Sequence, residues 1–371
     1  MTARKSVACI TLVLLGTIAN FARAQTITEI IDSTGDGSGN ILDYPVGIAV
    51  DSAGNVYVAG TRSENVFKIT PGGAITEIID ATGDGNGNLL DGSGRIAVDS
   101  AGNVYVRGGI TDNAFKITPG GVITEIIDAS GDGNGNLLDG AWGMAVDSVG
   151  NVYVTGVDFR NKGGDNAFKI TPGGAITEII DATGDGSGNT LEDPRAIAVD
   201  SAGNVYVTGA LSSNAFKITP GGAITEIIDV FGDGNGNFLG SPRGIAVDSA
   251  GNVYVAGGGS NNAFKITASG TITEIIDATG DGSGNILDFS WRIAVDDTGA
   301  VYVSGFNSHN AFRIFSDGDG DGVADAIDVC NKTPAGTAVD TEGRPIGDLD
   351  KDCDNDLLDF MLFISGHTGP R

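Results

Sequence analysis

The clearest chemical pattern lies in an acidic segment near the C-terminus, where aspartates recur at alternate positions. Two stretches, Asp317–Asp328 and Asp348–Asp359, carry aspartates at positions 1, 3, 5, 9 and 12. Oxygen ligands with this spacing can surround one hard cation, and Gly322 at the sixth position permits the sharp bend of a calcium loop. The spacing favours calcium as a cofactor over the alternative of a disordered acidic linker. The predicted ligands are Asp317, Asp319, Asp321, Asp325, Asp328, Asp348, Asp350, Asp352, Asp354, Asp356 and Asp359.

A second group of candidate residues combines arginine with tryptophan, mostly just before the first apolar run of successive sequence units. Tryptophan faces and guanidinium groups suit sugars, aromatic molecules or carboxylates as ligands. The alternative is structural: arginine would offset nearby acidic loops, and tryptophan would pack against them. The predicted ligand-binding residues are Arg95, Trp142, Arg195, Arg243, Trp291, Arg292 and, in a variable loop, His309.

Residues suited to catalysis are scarce. His309 and His367 are the only histidines, and no cysteine lies between residues 25 and 315. A lone histidine in a polar loop is more often solvated than catalytic. The sequence therefore favours a binding or structural role, although metal-assisted hydrolysis with carboxylate ligands alone remains open.

A repeated phrase shows which elements must position these residues. Ile-Thr-Glu-Ile-Ile-Asp recurs at intervals of 48, 48, 53, 48 and 48 residues. A period near 48 with short β-branched runs between Gly-rich turns is typical of a four-stranded propeller blade. We therefore predict an all-β, six-bladed β-propeller over residues 25–315. The phrase begins at Ile27, Ile75, Ile123, Ile176, Ile224 and Ile272.

The ends of the repeat predict how the ring closes. The first copy of the outermost strand, Thr26–Asp32, precedes every innermost strand, and the last unit ends at its third strand, Asn310–Phe315. Pairing of these two segments would complete the last blade and remove an open sheet edge. The variable Arg/Trp positions would then share one rim of the central channel.

Two further patterns within the repeat have structural explanations. Glu77 and Lys68, like their equivalents in other units, are predicted to pair as opposite charges across neighbouring strands. Asp84, Asn86 and Asn88 have the opening spacing of an EF-hand loop, but the later ligands are missing. Turns built from glycine and asparagine are favoured there over weak calcium sites.

The repeat resembles known propeller families. Asp51–Val58 looks like NHL-type repeats, and Thr118–Ile126 is similar to streptogramin-lyase-like propellers. The latter resemblance implies a histidine base beside a metal-linked acid, for which His309 alone is available within the repeats. This architecture hosts enzymes, receptors and scaffolds alike, so the resemblance predicts the fold rather than the function.

The segment after the repeats resembles other calcium modules. Residues 316–347 resemble a thrombospondin type 3 repeat, and residues 348–371 look like half a dockerin. The thrombospondin-like family usually has a cysteine where Arg344 stands. Its absence implies that Cys330 pairs with Cys353 instead.

Composition and the first residues predict export and limit the partners. Residues 1–24 have a basic start, an apolar stretch too short to span a bilayer, and the small-residue pattern Ala22-Arg23-Ala24, as in a bacterial signal peptide. The chain has 48 acidic against 21 basic residues, a formal net charge of −27. Such a charge disfavours nucleic-acid binding, and no other segment is apolar enough to predict a membrane span.

Three functions are compatible with these patterns. The first is a secreted, calcium-binding propeller that binds a carbohydrate, small-molecule or protein ligand at its mouth, with the tail attaching it to a surface or cohesin-like partner. The second is an extracellular metal-dependent lyase or lactone hydrolase of the streptogramin-lyase or gluconolactonase type. The third is a component of a polysaccharide-degrading assembly.

Overall fold

The strands recur with the period of the sequence repeat. The structure is a computed structural model that describes residues 28–157 and 164–316 and isolated positions between 330 and 353. The first three blades contain β1 (Pro45–Val50), β2 (Val56–Gly60), β3 (Asn65–Ile69), β4 (Ile75–Ile79), β5 (Ser93–Val98), β6 (Val104–Gly108), β7 (Asn113–Ile117), β8 (Ile123–Ile127), β9 (Ala141–Val146), β10 (Val152–Gly156), β11 (Asn166–Ile170) and β12 (Ile176–Ile180). The last three contain β13 (Pro194–Val199), β14 (Val205–Gly209), β15 (Asn214–Ile218), β16 (Ile224–Ile228), β17 (Pro242–Val247), β18 (Val253–Gly257), β19 (Asn262–Ile266), β20 (Ile272–Ile276), β21 (Ser290–Val295), β22 (Val301–Gly305) and β23 (Asn310–Ile314).

The strands form antiparallel sheets in simple chain order. Five sheets have four strands, and the sixth, β21–β23, has three among the described residues. Each sheet is one blade, numbered 1 to 6 along the chain. The all-β, six-bladed propeller prediction is confirmed, and the described residues contain no helix.

The core lies between successive blades. One cluster joins Tyr105 and Ala114 of blade 2 to Val154 and Phe168 of blade 3, all at most 2% exposed. Both faces of the middle strands are therefore buried, which explains their continuous apolar sequences.

A hydrogen-bonded turn explains the repeated Asp-Ser-Ala-Gly-Asn-Val-Tyr motif. Asp99 Oδ1 accepts from the backbone N–H groups of Ala101 and Asn103, and Oδ2 accepts from Tyr105 Oη at 2.9 Å. Burial alone would raise the pKa of Asp99, but these bonds and one from the Asn103 amide outweigh it and lower the pKa. The same Asp–Tyr bond recurs in every blade, so this motif serves the scaffold.

The predicted Glu–Lys charge pairs are wrong. Val66 lies opposite Ile79, and continuing that register would place Lys68 opposite Glu77. A β-bulge between Val66 and Phe67 moves the register by one residue, so Lys68 lies opposite Thr76. Glu77 instead accepts a 2.8 Å hydrogen bond from the Asn65 side-chain amide, and Lys68 lies over the Tyr57 ring.

The loops between blades are self-contained turns. In the loop after blade 2, Asp132 Oδ1 accepts from the backbone N–H of Asn134, and Oδ2 accepts from the Asn136 amide at 2.9 Å. Gly131 has φ +64°, a conformation that glycine adopts cheaply. These bonds use the carboxylate within its own loop, as the turn interpretation predicts.

The predicted closure of the ring is not present in the described residues. Residues 28–32 contain no strand, residues 26 and 27 lie outside the described part, and β23 has no fourth partner. Ile31 packs against the blade 1 cluster that contains Phe67. The equivalent Ile79 of blade 1 packs in the same way against Phe115 of blade 2. The facing sides of blades 1 and 6 remain open: Ile48 is 68% exposed, and Tyr302 is 39% exposed where its equivalent Tyr254 is 2% exposed.

Little of the tail is described. Cys330 and Cys353 form a disulfide with Cα atoms 5.3 Å apart, as expected, and Val339 pairs with Pro345 in an isolated antiparallel bridge. All eleven predicted calcium ligands, the signal segment 1–24 and His367 lie outside the described residues. Within the described part, no helix is long and apolar enough to cross a membrane.

Candidate functional site

A cavity of about 560 Å³ lies where the repeat sequences diverge. Its walls come from blades 1, 2, 3 and 6, at the start of the innermost strands and in the loops that follow the second strands. We call it the mouth cavity. It is lined by Tyr44, Val46, Thr61, Gly92, Arg107, Gly109, Ile110, Trp142, Trp291, Arg292 and Phe306.

Trp291 and Phe306 from blade 6 form one wall, and the Phe289 ring packs beside them. The Trp291 ring centroid lies 5.3 Å from that of Phe306 and 5.5 Å from that of Phe289. Phe289 and Trp291 flank the start of β21, and Phe306 follows β22, so adjacent strands hold the three rings together. Such a surface can pack against a flat apolar group of a ligand.

Two arginines from neighbouring blades meet the ring of Trp142 in blade 3. The guanidinium carbon of Arg195 lies 4.2 Å from the ring centroid, and that of Arg107 lies 5.1 Å from it. Arg107 Nη1 donates a 2.8 Å hydrogen bond to the carbonyl of Ala141. Arg195 Nε lies 2.6 Å from a carboxylate oxygen of Asp193.

Two further arginines lie beside the blade 6 rings. Arg243 lies 5.2 Å from the Phe289 ring centroid and 5.1 Å from that of Trp291, and Arg292 lies 5.8 Å from that of Trp291. Cation–π contacts of this kind fix guanidinium groups while leaving their N–H edges able to donate.

The environment of the arginines is poorly solvated. Burial lowers the pKa of Arg107 to about 10, with the nearby charge of Arg195 acting in the same direction. Burial also lowers the pKa of Arg292 to about 10. Both groups remain protonated near neutral pH, so the cavity carries positive charge in a strongly acidic protein.

The structure brings most of the predicted site residues together. Trp142, Trp291 and Arg292 line the mouth cavity, while Arg195 and Arg243 contact its tryptophans. Arg95 is not among the residues that line the cavity. It donates from Nη2 to the carbonyl of Arg195 at 3.4 Å, which joins blades 2 and 4.

His309 does not line the mouth cavity, contrary to the prediction. It is exposed and has φ 55° in the turn before β23. The equivalent positions in other blades, including Glu64, Asp112, Ser213 and Asn261, also have positive φ. The position is a turn shared by these blades, and histidine there is one of several residues that fill it.

Sequence reasoning missed Arg107 and Phe306. Arg107 occupies the fourth position of its strand, where other blades have alanine, threonine or serine. Phe306 follows a strand after which other blades have smaller residues, such as Thr61 and Ala210. Both are departures from a nearly invariant repeat, and a position-by-position comparison of the six units would have found them.

Comparison with known families agrees with the strand topology. A beta-propeller repeat model (SBBP) matches residues 31–68, 177–210 and 239–265. All three matched segments lie within the described propeller. No curated protein sequence matches this propeller significantly.

Solved structures give the same fold. Virginiamycin B lyase from Staphylococcus aureus superposes with a TM-score of 0.56 at 19% identity, covering 77% of this chain and 82% of the lyase. A streptogramin B lyase structure gives 0.55 at 17%, covering 76% and 84%. An inactive histidine-to-alanine variant of the S. aureus enzyme with quinupristin gives 0.55 at 19%, covering 73% and 83%. At these identities the likeness establishes the fold alone.

Proposed function

We propose that this protein is an exported binding propeller whose mouth cavity takes a small organic ligand with a flat apolar group. The observation that carries this proposal is the mouth cavity itself, formed where six nearly identical units differ most. A scaffold of invariant strands with variable loops at one opening is the usual construction of a binding surface.

The cavity supports this function by its size and chemistry. A volume of about 560 Å³ lies in the range of small-molecule sites. Trp291 and Phe306 provide flat apolar surface, and Thr61 adds a hydroxyl group. A carbohydrate face or an aromatic ring could stack on these side chains.

A lyase reaction has less support. The resemblance to streptogramin lyases implies a histidine base, but the residues that line the mouth cavity include no histidine. His309 lies outside the lining, and the carboxylate of Asp193 is held by Arg195. Binding therefore accounts for the described residues better than this catalysis does.

The sequence offers a direct optical test. Trp142 and Trp291 are the only two tryptophans, and both line the mouth cavity. We expect the uncharged dye N-phenyl-naphthylamine to bind there and accept excitation energy from these rings. Replacing both Trp291 and Phe306 with alanine should weaken binding at least about tenfold, as expected for loss of one or two stacked aromatic contacts. Fluorescence titration of the wild-type protein and of the double variant with the dye measures the change in affinity.

The matched control for that experiment is Phe231→Ala. Phe231 is a 63% exposed aromatic residue in the loop after blade 4, outside the cavity lining. Its loss should leave dye affinity unchanged. Equal affinity of wild type and the Trp291/Phe306 double variant would contradict a binding role for the mouth cavity.

The proposal extends to the tail, which we expect to bind calcium after export and removal of residues 1–24. Binding at a free calcium concentration of 100 times Kd would stabilise the folded tail by about 2.7 kcal/mol. Limited proteolysis with EDTA should therefore cut beyond residue 316, whereas calcium should suppress those cuts. Mass spectrometry of the fragments locates the cleavage sites.

Two variants distinguish calcium sites in the tail from the loops between blades. Asp348→Asn combined with Asp350→Asn should remove part of the calcium protection. Asp84→Asn should not, because Asp84 accepts hydrogen bonds within its own loop. Identical cleavage with calcium and with EDTA would refute the tail proposal while leaving the mouth proposal intact.

A further inference from the structure

We propose that the mouth cavity contains an anion subsite centred on Arg107, so that its ligand class is an aromatic molecule bearing a carboxylate or sulfonate group. This inference rests on the proposed binding function and specifies its ligand.

Arg107 is a buried cation that faces into the cavity. Arg107 is 9% exposed, and it is one of the residues that line the mouth cavity. Nη1 donates to the carbonyl of Ala141, whereas Nε has no hydrogen-bond partner among the described residues. Buried donors are nearly always paired, so the guanidinium group of Arg107 has donor capacity that the described residues leave unused.

Two glycines make room for this guanidinium group. Any side chain at Gly94 or Gly109 would collide with the nitrogens of Arg107. The position of Gly94 holds valine in blade 1 and arginine or tryptophan in the other four blades, such as Trp142 or Arg195. Blade 2 therefore replaces a rim side chain with an arginine that reaches into the cavity from the adjacent strand.

Further positive charge surrounds the subsite. Arg195 shares the Trp142 ring with Arg107, and Arg292 lines the same cavity. Arg243 lies over Trp291, and its Nε has no hydrogen-bond partner among the residues that the structure describes. Asp193 forms an ion pair with Arg195, and its charge also acts on Arg243.

An anion would relieve the unfavourable electrostatics of this group. Desolvation disfavours the protonated forms of Arg107 and Arg292 and lowers the pKa of each, and the nearby charge of Arg195 lowers the pKa of Arg107 further. A carboxylate or sulfonate can accept from guanidinium N–H groups, and such charge-assisted bonds are stronger than neutral ones. The ring of the same molecule would pack against Trp291 and Phe306.

A pair of dyes tests the ligand class. Anilinonaphthalene sulfonate has nearly the same ring system as N-phenyl-naphthylamine but carries a negative charge. We expect the wild-type protein to bind the sulfonate about tenfold more tightly at low salt. Arg107→Gln should remove that preference, so that the variant binds the two dyes with about equal affinity. N-phenyl-naphthylamine should still bind to the variant.

Two additional variants keep the test decisive if Arg107→Gln impairs folding, which circular dichroism would show. Arg292→Gln should reduce the sulfonate preference several-fold, because Arg292 lines the cavity. Lys217→Gln removes the same charge from the blade 4 outer surface, where Lys217 lies over Tyr206, and should leave the preference unchanged.

The outcomes separate this inference from the proposed function. Equal affinity of wild type for the two dyes, or a preference that survives both arginine substitutions, overturns the anion subsite but leaves the binding function standing. If neither dye binds, or if the binding of both dyes does not depend on Trp291, the binding function and the subsite are both overturned.

Discussion

Replacing Phe168 with alanine is expected to lower the free energy of unfolding by about 3–5 kcal/mol. The ring is fully buried between blades 2 and 3, in the cluster that contains Tyr105 and Leu138. Its removal leaves a cavity that neighbouring strands cannot fill without breaking their ladders. Urea denaturation followed by tryptophan fluorescence measures the change, which is a large share of a stability of about 5–15 kcal/mol.

Phe231→Ala is the matched control for this experiment. It deletes the same side chain from an exposed loop, and we expect a change within about 0.5 kcal/mol. A similar loss in both variants would show that inter-blade packing does not dominate stability.

Gly131→Ala is expected to be the second strongly destabilising change, costing about 3 kcal/mol or more. Gly131 has φ +64°, and an added methyl group would collide with the carbonyl oxygen of Asn136 and crowd Phe168. The positive φ alone costs an alanine roughly 1–2 kcal/mol. The collision adds to that cost because backbone must move to relieve it. Thermal and urea unfolding of the variant would measure the loss.

Gly133→Ala separates the two contributions. Gly133 lies in the same loop with φ +75°, but a methyl group there would meet nothing within 4 Å. This variant should lose only the roughly 1–2 kcal/mol of the left-handed conformation. Equal losses at Gly131 and Gly133 would show that the close approach to Asn136 is unimportant.

The sequence predicted the elements of the fold closely. In the second unit, the spacing of apolar runs between turns predicts strands over Arg95–Val98, Asn113–Thr118 and Val122–Asp128. These agree with β5, β7 and β8 to within two residues. This success has a local cause, because β-branched runs between glycine turns specify strands without reference to distant residues. Repetition also specified the blade number.

Partners across strands were less predictable. A single β-bulge after Val66 places Lys68 opposite Thr76 rather than opposite Glu77. The spacing of residues along the chain does not reveal this bulge. The closing pair of strands was inferred from the need to satisfy a sheet edge, and it does not appear among the described residues, which begin at residue 28. The position of the bulge depends on contacts that exist only in the folded chain.

The candidate site also contains residues that the sequence predicted and residues that only the structure revealed. The sequence by itself determined that six similar blades form and that Trp142, Trp291 and Arg292 mark the positions where they differ. Only the tertiary structure decided that Arg107 enters the space left by Gly94 and Gly109, and that His309 occupies a turn. The physical reason is that repeat period and turn chemistry act over neighbouring residues, whereas a cavity is defined by side chains that distant blades bring together.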